Sequence, residues 1–268
     1  MIDPFSYHLS RNAGQHGPIM LVYHSISPHR VTPSWPWAIS IHRFRDQLDF
    51  LRSEGWSTIT MKEAVDLPGD LGNRTAIITF DDGYVDNLSA YEELKKREIQ
   101  ATWFIVTGFI GCKPGWASDD RPNIRLLSTN ELKMMESSNM EIGSHSVSHV
   151  RLTDVNDAVL KAELANSKSM LEDVLGNRIS SFAYPYGAWN PKSAQAVQQA
   201  GYKAACTTDS GWAMVDADYF RLRRITIYNS DTINTFARKL AFADNDVNWS
   251  KVMDYYLLRL SKKLKVES

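Results

Sequence analysis

The feature that most constrains the fold is a short apolar run, Ala76 to Phe80, that ends directly in two aspartates and a glycine. Similar apolar runs recur along the chain and alternate with segments whose apolar residues repeat at helical spacing. This alternation is typical of βα units with a parallel sheet. No repeat, low-complexity tract or long linker interrupts it. We therefore predict one α/β domain, with its core over residues 18–240 and a helical extension over residues 241–268.

Polar residues recur directly after the predicted strands. We predict roughly seven strands, at 18–22, 76–80, 101–106, 141–144, 181–184, 202–207 and 223–227. Predicted helices cover 42–54, 87–97, 157–175 and 249–266, and further helices begin at capping boxes of Thr60 with Glu63 and Ser128 with Glu131 and near Pro191. In a closed α/β barrel the carboxyl ends of the strands share one face, where sites are usually built.

Asp81 and Asp82 follow the buried strand as adjacent carboxylates. Neighbouring like charges raise the pKa of one of the two groups. A divalent cation relieves this conflict by taking one carboxylate as a ligand and leaving the other as a base. A polar Asp-Asp-Gly turn is the alternative, and the pair alone does not decide between them.

His145 and His149 are spaced i and i+4, which places them on one face of a helical turn where they can share a metal. A surface pair is the more common outcome of this spacing. Together with one carboxylate, however, they form a two-histidine, one-carboxylate set with open positions for water and substrate. Both elements follow strands, so the joint pattern indicates a metal site more strongly than either part.

The motif TFDDG, residues 79–83, followed later by HSVSH, residues 145–149, resembles the polysaccharide deacetylase family of carbohydrate esterases. The segment FAYPYG, residues 182–187, is similar to the third motif of that family. The resemblance extends from about Pro18 to Leu240. It implies a distorted (β/α) barrel of about seven strands.

By this resemblance Asp81 is the general base, and Asp82, His145 and His149 hold a divalent metal, usually zinc. Such a metal lowers the pKa of its bound water and polarises the acetyl carbonyl. The resemblance also assigns the backbone N–H of Tyr186 to stabilisation of the oxyanion.

The leaving amine needs a proton from a general acid. In the family this acid is a histidine in a late Leu-x-His motif, and no such motif occurs after Gly187. Instead the first predicted strand ends in LVYHS, residues 21–25, which resembles the branch of the family in which this motif lies near the N-terminus. We predict His24 as the acid; a loop histidine without a catalytic role is the alternative.

Two departures from the family pattern concern the support of Asp81. The arginine that normally begins the third motif is replaced by Ala183, and the Asp-x-x-Asp-Trp motif is reduced to DSGW, residues 209–212. We hypothesise that Arg224 supplies the missing cation. A surface arginine is the alternative.

Aromatic residues near the motif loops could stack on sugar rings, although aromatic side chains also fill cores. The insertion over residues 112–125 is predicted to form a rim loop that shapes substrate choice. The substrate-binding candidates are Tyr184, Pro185 and Trp212, with Trp116 and Trp189 nearby.

The charge balance, 30 Lys and Arg against 31 Asp and Glu, gives a net charge of −1 and implies no nucleic-acid partner. The N-terminus lacks a basic start followed by an apolar run, and no segment approaches the roughly 20 apolar residues of a membrane span. Unpaired Cys112 and Cys206 suit a reducing compartment. These features predict a cytoplasmic protein.

Residues 249–266 mix tyrosines and leucines with Lys262, Lys263 and Lys265. Two interpretations stay open: an amphipathic helix on a membrane surface, or a terminal helix packed on the barrel with a solvated basic end. The sequence does not indicate an oligomeric state.

The sequence therefore predicts a metal-dependent enzyme that removes N-acetyl groups from amino sugars of a glycan or glycoconjugate. The sugar could be carried on a nucleotide, a lipid or a short glycan. Hydrolysis of a non-sugar amide on the same scaffold is one alternative. A catalytically impaired carbohydrate-binding domain is another, which the missing arginine and Asp-x-x-Asp-Trp motif favour.

Overall fold

The computed structural model describes residues 2–11, 13–66, 71–72, 74–116 and 121–266, and places eight parallel strands of these residues in one curled sheet. Two further strands, β2 and β3, form a small parallel sheet. The strands are β1 (Ile19–Tyr23), β2 (Ser25–Ser27), β3 (Ala38–Ser40), β4 (Ser57–Ile59), β5 (Thr75–Phe80), β6 (Thr102–Ile105), β7 (Glu141–Ser144), β8 (Ser181–Ala183), β9 (Ala204–Cys206) and β10 (Ile225–Thr226).

Helices alternate with the strands, as expected for βα units. They are α1 (Pro4–Ser10), α2 (Ile41–Ser53), α3 (Met61–Asp66), α4 (Asn87–Lys96), α5 (Thr129–Glu136), α6 (Asp157–Leu175), α7 (Pro191–Gln199), α8 (Ile233–Phe242) and α9 (Trp249–Val266). The predicted bounds of α6 and α9 match the structure, and the other predicted helices agree to within a few residues.

The sheet curls into a distorted barrel. Its strand order is β10-β1-β5-β6-β7-β8-β9, and β4 pairs with the first half of β5. Leu21 of β1 pairs with Ile225, while Cys206 of β9 forms a bridge with Leu222. The short segment from Leu222 to Ile225 therefore connects β9, at one end of the strand order, with β10 and β1 at the other end. The predicted (β/α) barrel is confirmed.

Two adjacent strands, β1 and β5, lead into the first residues of the site. They pair over five residues, from Ile19 with Ala76 to Tyr23 with Phe80, and every residue of both strands is buried. Continuous burial is typical of a parallel strand covered on both faces. The pairing continues beyond Tyr23, whose carbonyl accepts a hydrogen bond from the Asp81 amide at 2.9 Å. The residues that follow β1 and β5 are therefore neighbours.

Local signals in the sequence determine the helix ends. Ser128 and Glu131 form the predicted capping box of α5, and Thr60 and Glu63 exchange the corresponding hydrogen bonds at the start of α3. Gly176 ends α6 in the left-handed conformation, with a φ of 74°.

Helix α9 packs on α1 and α8 with one side only. Val252 is buried, Tyr255 contacts Phe242 of α8 and Tyr256 contacts Phe5 of α1, whereas Leu257 and Leu258 are exposed. The side chains of Lys262, Lys263 and Lys265 lie outside the described residues, so contact of this helix with a membrane stays a prediction. Among the described residues, no helix is long and apolar enough to cross a membrane.

Candidate active site

The carboxyl ends of the strands open into a cleft of about 380 Å³. Its floor carries His24 after β1, Asp81 and Asp82 after β5, and His145 after β7. The barrel therefore brings together residues that are far apart in the sequence. Loop residues complete the walls, among them Trp35, Trp37, Arg121, Arg151, Tyr186 and Tyr228.

Asp82, His145 and His149 form a cluster of the kind that holds a metal ion. Their candidate ligand atoms all lie within 4.8 Å of one another. Nε2 of His149 is 3.2 Å, and Nε2 of His145 is 3.7 Å, from Oδ1 of Asp82. Neither oxygen of the buried Asp82 carboxylate has a hydrogen-bond donor of good geometry among the described residues. Because an unpaired buried carboxylate is costly, this donor set fits a cation.

The ionisation of the cluster suits a metal as well. Burial raises the pKa of Asp82, but His149 and then His24 outweigh this effect and hold the pKa of the carboxyl below its ordinary value. Burial lowers the pKa of His145 to about 4, against the opposing effect of Asp81. Nδ1 of His145 lies 2.8 Å from the carbonyl of Ala183, to which it donates, so its Nε2 lone pair faces Asp82.

The prediction that His145 and His149 lie on a helical turn is wrong. Residues 145–150 form a loop after β7, with φ of 67° at Ser146 and 60° at His149. Positive φ values are incompatible with a right-handed helix. The loop nevertheless brings the two rings to a centroid distance of 4.9 Å.

This loop is held by Glu163 of α6, which the sequence interpretation missed. The Glu163 carboxylate accepts hydrogen bonds from the amides of Val147 and Ser148, at 2.8 and 3.0 Å. Glu163 occupies the buried side of α6 beside Leu160 and Leu164. A glutamate within an apolar helix stripe was the signal that could have revealed it.

Asp81 forms a two-point ion pair with Arg224. Nη1 and Nη2 of Arg224 donate to Oδ1 and Oδ2 of Asp81 at 2.7 and 2.8 Å, and Nε donates to the carbonyl of Thr207. Burial raises the pKa of Asp81, but Arg224 and then His145 hold it below its ordinary value. Arg224 is fully buried, which excludes the alternative of a surface arginine.

His24 lies directly after β1, on the floor of the cleft. Its carbonyl accepts a hydrogen bond from Nδ2 of Asn87 at 2.6 Å, and its ring meets Trp35 edge-on at 5.9 Å. Nδ1 is buried and has no partner among the described residues. Burial lowers the pKa of His24, although Asp82 and Asp81 oppose this.

The segment Pro185–Gly187 forms a tight turn that projects Tyr186 into the cleft. Tyr186 has a φ of 59° and its ring centroid lies 4.5 Å from that of His149. A Cβ on Gly187 would lie 2.0 Å from Oγ1 of Thr208, so the turn requires glycine there. Pro185 is buried within this turn, where its side chain helps to shape the turn. The prediction that Pro185 contacts the substrate is therefore wrong.

A family model described as polysaccharide deacetylase matches residues 69–205, slightly more than half of the chain. The chain belongs to the polysaccharide deacetylase family. Asp81, Asp82, His145 and His149 lie within the matched range, whereas His24 precedes it and Arg224 follows it.

Known proteins similar to this deacetylase include both curated relatives and solved structures. YxkH of Bacillus subtilis (strain 168), whose name places it in the same family, is 29% identical over 212 residues, which cover 78% of this chain and 70% of the relative. The poly-β-1,6-N-acetyl-D-glucosamine N-deacetylase of Staphylococcus epidermidis is 26% identical over 217 residues, 76% of this chain and 72% of the relative. The Streptococcus pyogenes deacetylase PplD, solved with acetate, has a TM-score of 0.71 at 25% identity, covering 83% of this chain and 97% of that one.

Two further predicted substrate contacts, besides Pro185, are contradicted by the structure. Tyr184 is fully buried and donates its hydroxyl to the carbonyl of Phe220, so it cannot stack on a sugar. Trp212 packs against His16, next to Ala213, whose amide donates to Pro18 at the amino end of β1. That position lies at the opposite end of the strands from the cleft.

The other two predicted aromatic residues, Trp189 and Trp116, differ in their position relative to the cleft. Trp189 donates to Asp209 and does not line the cleft. Trp116 stacks on the ring of His149 at 4.6 Å, next to the other two residues of the candidate metal site, Asp82 and His145. Residues 117–120 of the predicted rim loop lie outside the described residues.

Trp35 and Trp37 line the cleft and were missed from the sequence. Strand β3 begins at Ala38 and pairs with β2 from Ser25 onward, which brings both tryptophans beside His24. The Trp-Pro-Trp pattern, residues 35–37, was the available signal, but only the pairing of β2 with β3 places it at the site.

Proposed function

We propose that the chain is a metal-dependent N-deacetylase that hydrolyses the acetamido group of an amino sugar in a glycan and releases acetate. The observation that carries this proposal is the pairing of two differently held carboxylates. Asp82 has free lone pairs facing His145 and His149, while Asp81 is kept anionic by Arg224. Metal-assisted hydrolysis requires one carboxylate that binds the metal and another that acts as a base.

Asp82, His145 and His149 would hold the metal, with zinc as the expected ion because two imidazoles and one carboxylate form a common catalytic zinc set. When bound, such an ion activates water and polarises the acetyl carbonyl.

Asp81 would accept a proton from the attacking water. Both of its oxygens bond Arg224, which orients the carboxylate and leaves further lone pairs for the water. Arg224 does not itself take part in proton transfer, because the ordinary pKa of an arginine lies far above neutrality. Burial opposes the charged form, but Asp81 outweighs burial and raises the pKa of Arg224 further.

Tyr186 and His24 would complete the reaction. The backbone N–H of Tyr186 stabilises the oxyanion. The turn at Pro185–Gly187 holds Tyr186 beside His149 of the candidate metal site. His24 delivers a proton to the leaving amine, for which its place in the same cleft as Asp81 is suited.

The wall of the cleft favours a sugar over a non-sugar amide. Trp35, Trp37, Tyr186 and Tyr228 all line it. Aromatic side chains with a polar tip offer an apolar face to a pyranose ring and a hydrogen-bonding group to its hydroxyls. The names of the relatives support the same class of substrate, since the Staphylococcus epidermidis relative is named for N-deacetylation of a poly-N-acetylglucosamine.

The proposal is tested by acetate release from acetylated amino-sugar oligomers, with and without a chelator. We expect release that stops with chelator and returns when Zn²⁺ is added. Asp81→Asn should bind metal normally and release acetate at least roughly a hundredfold more slowly, since general-base catalysis contributes about that much. Metal binding without acetate release from any acetylated sugar would instead favour an impaired carbohydrate-binding domain, and release only from non-sugar amides would favour the amidohydrolase alternative.

A further inference from the structure

The side of α9 that faces away from the barrel carries large apolar residues. Trp249, Met253 and Leu257 are spaced four residues apart, which places them along one side of a helix. Each is more than half exposed, at 51%, 58% and 57%. Phe5 of α1, exposed by 56%, meets Trp249 edge-on and extends this surface. These four residues form the apolar stripe. A contiguous exposed apolar surface marks a site of contact with a protein or a membrane.

Residues on another side of α9 attach the helix to the barrel. Val252 is buried, and the ring of Tyr255 meets that of Phe242 of α8 at 5.8 Å. A surface helix that serves only to cover a barrel has one apolar face, turned toward the core, and a polar face toward solvent. Helix α9 has apolar residues on the attached side and on the exposed side. Its apolar surface therefore exceeds what packing on the barrel uses.

The charge of α9 indicates which partner the apolar stripe contacts. Over Trp249–Val266 the sequence has four lysines and one arginine against one aspartate, a net charge of +4 in a chain whose net charge is −1. Positive charge is thus concentrated in this helix, while the rest of the chain is acidic on balance. A helix that combines tryptophan and leucine with several lysines is typical of segments that lie on an anionic bilayer surface.

The same charge argues against a second copy of the chain as the partner. A symmetric pair of α9 helices would bring two segments of net positive charge together, and like charges across an interface oppose association. A bilayer that contains anionic lipid instead offers negative headgroups to the basic residues and an apolar layer to the stripe. Charge complementarity therefore favours the membrane.

We propose that α9 docks the protein on an anionic membrane surface. The apolar stripe inserts among the headgroups, and the basic residues of the helix, Lys262, Lys263 and Lys265 among them, supply the electrostatic attraction. Asn245, four residues before α9, lines the cleft, so a docked α9 keeps the cleft near the bilayer. The inference concerns where the protein lies and does not depend on which bond it hydrolyses.

The test is co-sedimentation of the full chain with lipid vesicles. One set contains equal parts of phosphatidylglycerol and phosphatidylcholine, and the other contains phosphatidylcholine alone. We expect the apparent affinity to be at least about tenfold higher for the anionic vesicles. Raising NaCl to about 0.5 M should weaken this binding, because salt screens the attraction between the helix and the headgroups. No binding to either set, or equal binding to both, would overturn the proposal.

Two matched variants assign the binding to the apolar stripe. Leu257→Glu places a carboxylate in the stripe and should weaken binding to the anionic vesicles by roughly tenfold or more. Met170→Glu introduces the same charge at an exposed apolar position of α6 and should keep the wild-type affinity. Both positions are exposed, so both variants should keep the thermal unfolding midpoint of the wild type. An equal loss of binding in the two variants, or an unchanged affinity in Leu257→Glu, would contradict the role of the stripe.

A third variant and a measurement of mass complete the test. Replacement of Lys262, Lys263 and Lys265 together by glutamine should remove the preference for anionic vesicles. Sedimentation equilibrium without lipid should show the same mass for the wild type and Leu257→Glu. A dimer that Leu257→Glu dissociates would make α9 a contact between copies and would overturn the membrane assignment. Vesicle binding requires no substrate, so absence of acetate release would overturn only the proposed function.

Discussion

Two carboxylates at opposite ends of the barrel strands, half-buried Glu141 and buried Asp82, show how differently one fold treats charge that is withdrawn from solvent. Glu141 begins β7 at the amino end, and its oxygens accept hydrogen bonds from the Lys62 amide, Oγ1 of Thr102 and Oγ of Ser181. Asp82 follows β5 at the carboxyl end, where no donor of good geometry among the described residues reaches either oxygen. The amino end satisfies its carboxylate internally, and the carboxyl end leaves lone pairs for a ligand.

The backbone at the Glu141 and Asp82 positions themselves also differs. Glu141 lies in a regular strand, whereas Asp82, Ser146, His149 and Tyr186 all have positive φ angles. Such conformations cost about 1–3 kcal/mol for non-glycine residues and persist where the surrounding structure enforces them. Four of the nine non-glycine residues with positive φ in the described part of the chain lie at the cleft, which is consistent with a site in which ligand geometry takes precedence over backbone preference.

The largest expected effect comes from removing the unpaired carboxylate. Asp82→Ala should lose bound metal on dialysis and reduce acetate release by roughly a thousandfold or more, because several kcal/mol of transition-state stabilisation depend on the metal. Metal content and acetate release measure the two effects. Glu141→Gln is the matched control and should keep its metal. Retention of one tightly bound metal in Asp82→Ala would contradict the assignment of the cluster.

Removing Arg224 should have the next largest effect. Arg224→Ala leaves Asp81 buried without its cation, which costs about 3–5 kcal/mol of stability for a broken buried pair. Because Arg224 lowers the pKa of Asp81, its removal should raise that pKa, and the acid limb of the kcat/KM profile should move to higher pH.

Arg223→Ala is a matched control for that experiment. Arg223 precedes Arg224 in the chain but pairs with Asp216, away from the cleft. The acid limb of the kcat/KM profile of Arg223→Ala should stay at the wild-type pH. If Arg224→Ala left both turnover and the pH profile unchanged, Asp81 would not depend on this arginine.

Patterns that act over short distances in the chain were predictable from the sequence. The burial of β5, the bounds of α6 and the capping box at Ser128 follow from local periodicity and end signals. The placement of Asp82 and His145 at one edge followed from the rule that carboxyl ends of parallel strands share a face.

Features that depend on loop conformation were not predictable. The spacing of His145 and His149 suggested a helical turn, but the positive φ of Ser146 is set by contacts of the loop with Glu163. Tyr184 and Trp212 are aromatic residues near motifs, and sequence alone does not distinguish a core ring from a cleft wall. Only tertiary packing makes that distinction.

Removal of the Glu141 carboxylate should have a smaller effect, on stability alone. Glu141→Ala leaves the Thr102 hydroxyl and the Lys62 amide without their acceptor, and should lower the free energy of unfolding by about 2–3 kcal/mol. Acetate release per folded molecule should stay at the wild-type value. Denaturant unfolding with Glu92→Ala, an exposed position on α4, is the control, for which less than about 0.5 kcal/mol is expected. A selective loss of turnover in Glu141→Ala would remove the contrast between the two ends.

Asp86 is an intermediate case, because its carboxyl is buried but bonded by Ser25 Oγ and Asn87 Nδ2. Burial raises the pKa of Asp86 to about 6, with its hydrogen bonds opposing the shift. Since the folded state prefers the protonated form, the stability that Asp86 contributes is complete below its ordinary pKa and is lost as the pH rises through about 6. Asp86→Asn removes this dependence. From pH 5 to pH 7 the wild type should therefore lose roughly 1 kcal/mol of unfolding free energy relative to Asp86→Asn. Urea unfolding of both proteins across this range measures the difference, and parallel stability profiles would show that Asp86 is held as an anion, like a carboxylate whose partners are complete.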